Sequence, residues 1–552
     1  MTAHPCSSQF QTFRPFNRFF DRASHRYVDG VAVAVKRTPL VLVLFAGLIA
    51  LTAWSFWRMP TGFVPAQDKY YLVGIVQLPS GSSLDRTDAV TKQMVDIALK
   101  EPGVKTVVSF PGLSVNGFVN MPNTAVMFAM LKPFEERVDA GLSAQKIAGS
   151  LNQKYTGLRE GFVGIFPPPP VPGLGVIGGY KLMIEDRAGR GYLELEAATQ
   201  KFLAEARKQP ELAGLFSSYQ TNVPQLDVDV DRARAKWLGL DLGHVFSTLQ
   251  ANLGSVYVND FNAFGRTYPV YVQADAEHRM DAQAIGQLQV RSRSGEMVPL
   301  AALTTVKHSA GPDPVVRYNG FVAADVNGGT APGTSSGDAK AVVERVAQAT
   351  LPKGFAFEWT DLTYQQARDG NSSTWVFALA LVLAYLLLAV QFNGFALPLS
   401  VVAVVPTVLL SALAGVWLTG GDNNLFTQIG LVVLVGLATK NAILIVEFAR
   451  QLELEGRDTV AAVREASRLR LRPILMTSLA FIMGTVPLVV ATGAGAEMRQ
   501  AMGIAVFAGM LGVTLFGLLL TPVFYVAIRK LMLRKKLKDE QTITSSLETA
   551  HG

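Results

Sequence analysis

Residues 370–421 contain no charged side chain, and that run constrains this chain more than any other feature. About 20 apolar residues cross a hydrocarbon core about 30 Å thick, so the run is long enough for two membrane crossings. A break falls inside it at Gln391–Leu397, where QFNGFAL interrupts the apolar pattern. Further apolar runs of spanning length occupy 39–57, 425–449, 473–493 and 500–528. The sequence therefore reads as a polytopic α-helical membrane protein with six transmembrane helices in a 1+5 arrangement. Hydrophobic residues make up 49% of the chain and mean hydropathy is +0.27, so a large polar portion must accompany the spans.

The formal net charge of +7 reads as topology rather than as affinity for nucleic acid. Basic residues collect before the first span (Arg14, Arg18, Arg22, Arg26, Lys36, Arg37), between the fourth and fifth (Arg450 to Arg472), and after the last (Arg529 to Lys538). Cytoplasmic loops carry such an excess, and six spans put both termini on that side. Residues 1–38 are then a cytoplasmic segment with an amphipathic helix, 39–58 the first span, 59–370 periplasmic, 371–528 spans two to six, and 529–552 a basic cytoplasmic tail that can also touch anionic lipid. Residues 1–30 have no apolar core after a basic start, which predicts an uncleaved anchor. Cys6 is the single cysteine and allows no intrachain disulfide.

Lys440 is the only charged residue from Asn423 to Val446. A lysine at the centre of a spanning helix costs about 2.5–3.5 kcal/mol on insertion scales, and charges retained there usually serve an ion or proton pathway. Snorkelling is the competing explanation. The basic helix end at Arg450 lies roughly 15 Å away along the axis, beyond the reach of a side chain.

Residues 59–370 alternate short strands with helices. Strands are predicted at 70–78, at VKTVVSF, at NTAVMFAML, at 180–186 and at 225–231, with helices over 84–103, 142–158, 193–208 and 337–349 and a hairpin over 289–300. The Asp alternation in QLDVDVD predicts one wet face. This pattern fits α+β sandwich subdomains of the split βαβ kind. Two loops stand out. SFPGLSVNGFVNMPN (109–123) is rich in Gly, Pro and Asn, and GIFPPPPVPGLGVIGG (164–179) carries five prolines. Semi-rigid apolar loops suit either the lining of an apolar cleft or a plain connector. The chain holds no Walker A sequence, HExxH or GxSxG, and His25, His244, His278 and His308 are scattered without ligand spacing. The reading is of a non-enzyme without metal or cofactor.

GLATKNAILIVEFA (436–449) followed by RLRLRPILMTSLAFIMGTVPL (468–488) resembles the C-terminal half of a resistance-nodulation-division (RND) transporter of the hydrophobe/amphiphile multidrug branch. FVPAQD (63–68), VQLPSGSS (76–83), YVNDF (257–261), MVPL (297–300), RYNG (317–320) and APGTSSGDA (331–339) carry the same resemblance, which runs from Phe16 to the basic tail. It implies a bacterial inner-membrane exporter driven by the proton motive force. It also implies porter subdomains at about 65–222 and 321–365 with a docking subdomain at about 223–320 between them. The implied partners are the N-terminal half of the transporter, further copies forming a homotrimer, a periplasmic adaptor, an outer-membrane channel, amphiphilic drug substrates and the lipid membrane.

By the same resemblance Lys440, Thr477 and Arg470 are members of an intramembrane proton relay whose paired aspartates belong to the N-terminal half. Protonating carboxylates held by a lysine releases the ion pair and can shift helix packing. Glu447, one heptad from Lys440, is at best a weak substitute for those acids. Loop 112–122, with Phe118, corresponds to a switch loop between drug pockets. Phe110, Phe128, Phe166, Phe216, Ser217 and Tyr219 correspond to substrate-cleft positions, where aromatic faces offer contact without strict hydrogen-bond geometry. The proline run resembles the subgroup linked to chloramphenicol and fluoroquinolone export. No acidic residue directly precedes Lys440, which speaks against a metal-exporting branch. A non-transporting remnant lacking the aspartate pair is the competing expectation.

Overall fold

A computed structural model of the chain describes residues 14–137, 140–369 and 372–532. Cys6 and the basic tail beyond 532 lie outside the described residues. The helix Arg14–Lys36 precedes the first long apolar helix, Thr38–Arg58, with only Arg37 between them. The first helix packs against the membrane bundle: Val31 and Val35 are buried and the Tyr27 hydroxyl donates to the Leu518 carbonyl at 2.8 Å.

Five helices among the described residues are long and apolar enough to cross a membrane: Thr38–Arg58, Ala396–Leu418, Leu425–Leu454, Thr459–Val489 and Ala496–Met532. The sixth expected span falls on the helix Ser372–Gln391, whose apolar part, Trp375–Gln391, is shorter. The break between it and Ala396 lies where QFNGFAL placed it. Asn393 takes a left-handed conformation there, and the Arg450 guanidinium donates to the Phe392 carbonyl at 3.0 Å.

The basic region Arg450–Arg472 differs from its expected loop. It is nearly all helix, and only Glu455–Asp458 turns the chain. Gly456 supplies the left-handed turn, and the Asp458 carboxylate caps the next helix by accepting from the Val460 and Ala461 amides. A periodicity reading stops at charge, whereas capped helices carry their arginines past the apolar run.

The extramembrane part contains two units of one topology. In the first, strands Val104–Leu113, Asn120–Leu131, Tyr71–Gln77 and Phe162–Phe166 lie in that spatial order, all pairs antiparallel, with helices Leu84–Leu99 and Ala144–Tyr155 on one face. Its core sets Leu72 and Val76 against Met94, Ile147 and Leu151. In the second, Leu212–Phe216, Phe321–Thr330, Tyr180–Asp186 and Phe355–Thr360 lie in the corresponding order, covered by Tyr192–Ala206 and Ser336–Thr350. Both follow strand–helix–strand–strand–helix–strand, the split βαβ arrangement.

Between the second and third strands of the second unit the chain makes an excursion with its own small core of Val230, Ala235, Leu240, Val245, Val290, Leu300 and Leu303. Strands Val223–Val230 and Thr304–Gly311 form its stem. The expected wet and dry faces appear only at the stem's end: Val230 is buried and Val228 half-buried, but Leu226 is exposed, because a two-stranded ribbon has nothing behind it there.

Candidate functional site

The helices Leu425–Leu454 and Thr459–Val489 are joined near their middles by a buried hydrogen bond, Asn441 Nδ2 to Ser478 Oγ at 2.9 Å. Lys440 and Thr477 each precede a member of that pair by one residue, which turns them about 100° away, to the rim of the contact. Both are exposed. Lys440 ends a stripe of exposed positions, Leu425, Ile429, Val433 and Gly436, that are otherwise apolar. Among the described residues Lys440 has no hydrogen-bond or ion-pair partner. The Thr477 hydroxyl donates to the Ile474 carbonyl at 3.1 Å. Arg470 lies two turns nearer the start of its helix, its guanidinium 4.4 Å above the Phe448 ring, and its buried Nε finds no acceptor among the described residues. The three residues share one helix pair without forming a closed network. Glu447 accepts from Gln451 Nε2 at 3.5 Å and makes no bond to Lys440.

The second site lies where the uncovered faces of the two extramembrane sheets meet. Alternation along Tyr71–Gln77 sends Val73 and Ile75 to the side opposite the helices, where they join Val115, Val126 and Phe216. Phe162, Phe166 and Phe216 stack in this seam, with Phe162 and Phe216 centroids 4.8 Å apart and planes at 22°. Gly214, at φ +62°, makes the stack possible: a Cβ there would stand 2.8 Å from the Phe166 ring. Phe128 borders the same cluster and meets Phe110 edge-on at 6.1 Å.

The remaining expected cleft residues divide. Phe118 projects from its loop, 52% exposed and left-handed at φ +52°. The Ser217 hydroxyl accepts from the Tyr219 amide at 3.1 Å, closing a local turn. Tyr219 belongs to the helix-covered core of the second unit rather than to the seam. Burial, with Glu196, Tyr192 and Asp186 nearby, pushes its phenol above the usual range.

A polar network that the aromatic reading missed crosses the seam. Asp325 is buried and accepts from Asn116 Nδ2 at 2.8 Å, Ser218 Oγ at 2.6 Å and Asn327 Nδ2 at 2.7 Å. Lys181 Nζ donates to Asn116 Oδ1 at 3.0 Å. Asn116 thus ties the tip loop of the first unit to the sheet of the second. Next to it a cavity of about 20 Å³, room for a single water, is walled by Pro169, Pro170, Val176, Ile177 and Lys181. The buried Tyr180 hydroxyl at its edge has no hydrogen-bond partner among the described residues, and burial raises that phenol's pKa.

A sequence profile of the AcrB/AcrD/AcrF family matches residues 1–529. The chain belongs to the AcrB/AcrD/AcrF family. Its members are RND transporters of the inner membrane, and this chain is an inner-membrane member. It is 37% identical over 529 residues to the toluene efflux pump membrane transporter TtgB of Pseudomonas putida, covering 96% of this chain and 50% of that protein. It is 37% identical over 519 residues to the multidrug export protein AcrF of Escherichia coli (93% and 50%), and 35% identical over 529 residues to the multidrug resistance protein MdtF of Escherichia coli (95% and 51%). The chain spans about half the length of the curated relatives it matches.

Within this AcrB/AcrD/AcrF-family chain, Asp325 and Asn327 did leave a sequence signal. In AADVNGG two polar residues alternate with a valine inside an apolar strand, which puts both on one face. Asn116, Ser218 and Lys181 left none, since their meeting depends on how the two units dock.

Proposed function

We propose that this chain is the C-terminal half of a proton-driven exporter of amphiphilic drugs, working with an N-terminal half in the same or a separate polypeptide. The observation that carries the reading is Lys440: a mid-span cation without a partner among the described residues, ending an uncovered helix stripe. An ammonium left there is costly, and a facing helix with carboxylates would neutralise it and cover the stripe. In this reading Lys440, Thr477 and Arg470 are the basic side of a proton relay, the partner half supplies the acids, and the proton motive force drives transport. The spans take the 1+5 arrangement with both ends cytoplasmic. Residues 59–370 stand in the periplasm as porter (about 65–222 and 321–365) and docking (about 223–320) regions.

The seam between the two sheet units is the substrate cleft. Phe110, Phe128, Phe166 and Phe216 offer aromatic surface to drugs, Phe118 with its loop gates access, and Ser217 and Tyr219 shape the cleft wall from behind. Assembly is as a trimer with a periplasmic adaptor and an outer-membrane channel. The names of TtgB, AcrF and MdtF, as toluene efflux, multidrug export and multidrug resistance proteins, support export of varied apolar compounds. The test is drug susceptibility of an efflux-deficient bacterium expressing this chain with and without a matching N-terminal half, adaptor and channel. Resistance should rise only with the complete set; sensitivity equal to the empty strain would end the proposal.

A further inference from the structure

The segment Pro60–Tyr70, between the first span and the first strand, touches two of the long apolar helices and both sheet units. At its start it is hydrogen-bonded to the beginning of the Lys440 helix: the Asn423 amide donates to the Pro60 carbonyl at 2.9 Å and the Leu425 amide to the Phe63 carbonyl at 3.0 Å. On its other side the Gly337 amide donates to the Thr61 carbonyl at 3.0 Å, and the Phe63 amide to Ser336 Oγ at 3.2 Å. Those two residues open the helix Ser336–Thr350 of the second unit. A Cβ on Gly337 would stand 2.5 Å from the Thr61 carbonyl oxygen, so the approach requires glycine.

Farther along, Asp68 is a buried node. Its carboxylate takes a two-pronged ion pair from Arg137 at 2.8 and 2.9 Å and a third bond from the Ala144 amide at 2.8 Å; Arg137 is 1% exposed. The Asp68 amide donates at 3.2 Å to Glu497 Oε1, at the start of the last span. The adjacent Lys69 ammonium binds the Pro169 and Pro170 carbonyls at 3.0 and 2.5 Å. Those prolines line the cavity beside the seam. Prolines donate no backbone hydrogen bonds, so the loop is fastened here through its carbonyls.

We propose that Pro60–Tyr70 is a transmission strap between the membrane helices and the cleft wall, with Glu497 and Lys69 as positioning residues at its two ends. A shift of the last span's outer end pulls on the Asp68 amide. The stiff neighbouring residue, held by Arg137, carries that pull to Lys69 and the proline loop. A contiguous set of discrete contacts of this kind can carry coupling between distant sites. The role in transport rests on the exporter-half reading; the mechanical link does not.

The test is hydrogen–deuterium exchange on the full chain in lipid nanodiscs, without transport. Lys69→Met should speed exchange of the Leu174 and Gly178 amides, which close the proline loop, by roughly tenfold. Glu497→Ala should speed exchange at 68–70 and at those same two amides, and the double variant should add nothing to the loop beyond Lys69→Met. Lys69→Arg should restore protection. The helix Tyr192–Ala206, remote from the strap, should keep wild-type protection in all variants. The strap is refuted if Glu497→Ala loosens 68–70 and leaves the loop unchanged, if Lys69→Met leaves the loop unchanged, or if the control helix loosens equally. Failure of the resistance assay would leave these outcomes standing, so the two proposals fail separately.

Discussion

Replacing Lys440 by leucine should act with opposite sign on the chain alone and on the completed exporter. In the chain alone the ammonium has no partner among the described residues and sits on an exposed stripe, so none of them offsets its transfer cost. On translocon scales a central lysine costs roughly 2.5–3.5 kcal/mol, whereas leucine contributes roughly −0.5 kcal/mol. The substitution is therefore worth about 3–4 kcal/mol, or two to three orders of magnitude in the insertion equilibrium of helix Leu425–Leu454. A wholly inserted helix cannot report that gain. The comparison belongs in a Val433→Asn background, which burdens the same stripe and brings insertion off saturation. Glycosylation sites or accessible cysteines at the two helix ends then count inserted and misinserted molecules. Lys440→Leu should raise the inserted fraction, and in a complemented strain Lys440→Leu or Lys440→Ala should abolish drug export with the protein still in the membrane. A fall in the inserted fraction would mean that Lys440 has a partner within this chain, and the argument for an acidic partner half would collapse. Unchanged export would sink the relay assignment on its own.

Three further outcomes follow from the extramembrane geometry. Phe216→Ala empties the centre of the aromatic stack and should destabilise by about 3–5 kcal/mol, seen as a lowered melting temperature in detergent; Phe118→Ala, at an exposed tip, should stay within about 0.5 kcal/mol. Asp325→Ala and Asn116→Ala should be non-additive in a double-mutant cycle, because each removes the other's partner and Asp325 is buried, and simple additivity would show that the cross-seam bond carries no energy. At Asp186 burial pushes the carboxyl up, but the amides of Gly191, Arg190, Ala188 and Gly189 overcome it and hold the pKa below the usual value. Its contribution is thus present above the unfolded pKa of about 3.9 and lost as pH falls through the lower folded value, so Asp186→Asn should narrow the stability gap between pH 6 and pH 3.

Spans and strands were legible because each is governed by a period or a length that a local window contains. The break at Gln391–Leu397, the helix that begins at Leu84 and the split βαβ pattern could be read this way. The turn at Glu455–Asp458 was missed because arginines mark the membrane boundary and say nothing about where a helix stops. The seam was half legible. The family resemblance pointed to Phe128, Phe166 and Phe216, which border one apolar seam, and equally to Tyr219, which folded into the neighbouring core. Asn116 and Ser218 stayed hidden because their partner, Asp325, is more than a hundred residues away in the chain.

The repeated topology explains why the equivalent connections of the two units matter unequally. In each unit the second and third strands are neighbours, and their connection projects from the same end. In the first unit that connection is the short tip Ser114–Val119, whose Asn116 reaches across to Asp325. In the second it is the whole excursion from the stem strand Val223–Val230 to Thr304–Gly311. A short connection held to the opposite sheet by Asn116 and seated by the buried Val115 can detach for a few hydrogen bonds, about 1 kcal/mol each, plus the burial of one valine, roughly 1.5–3 kcal/mol. A connection with its own buried core cannot open so cheaply. The tip loop is therefore the cheapest element of the seam to displace, and the proline loop lines the cavity beside it.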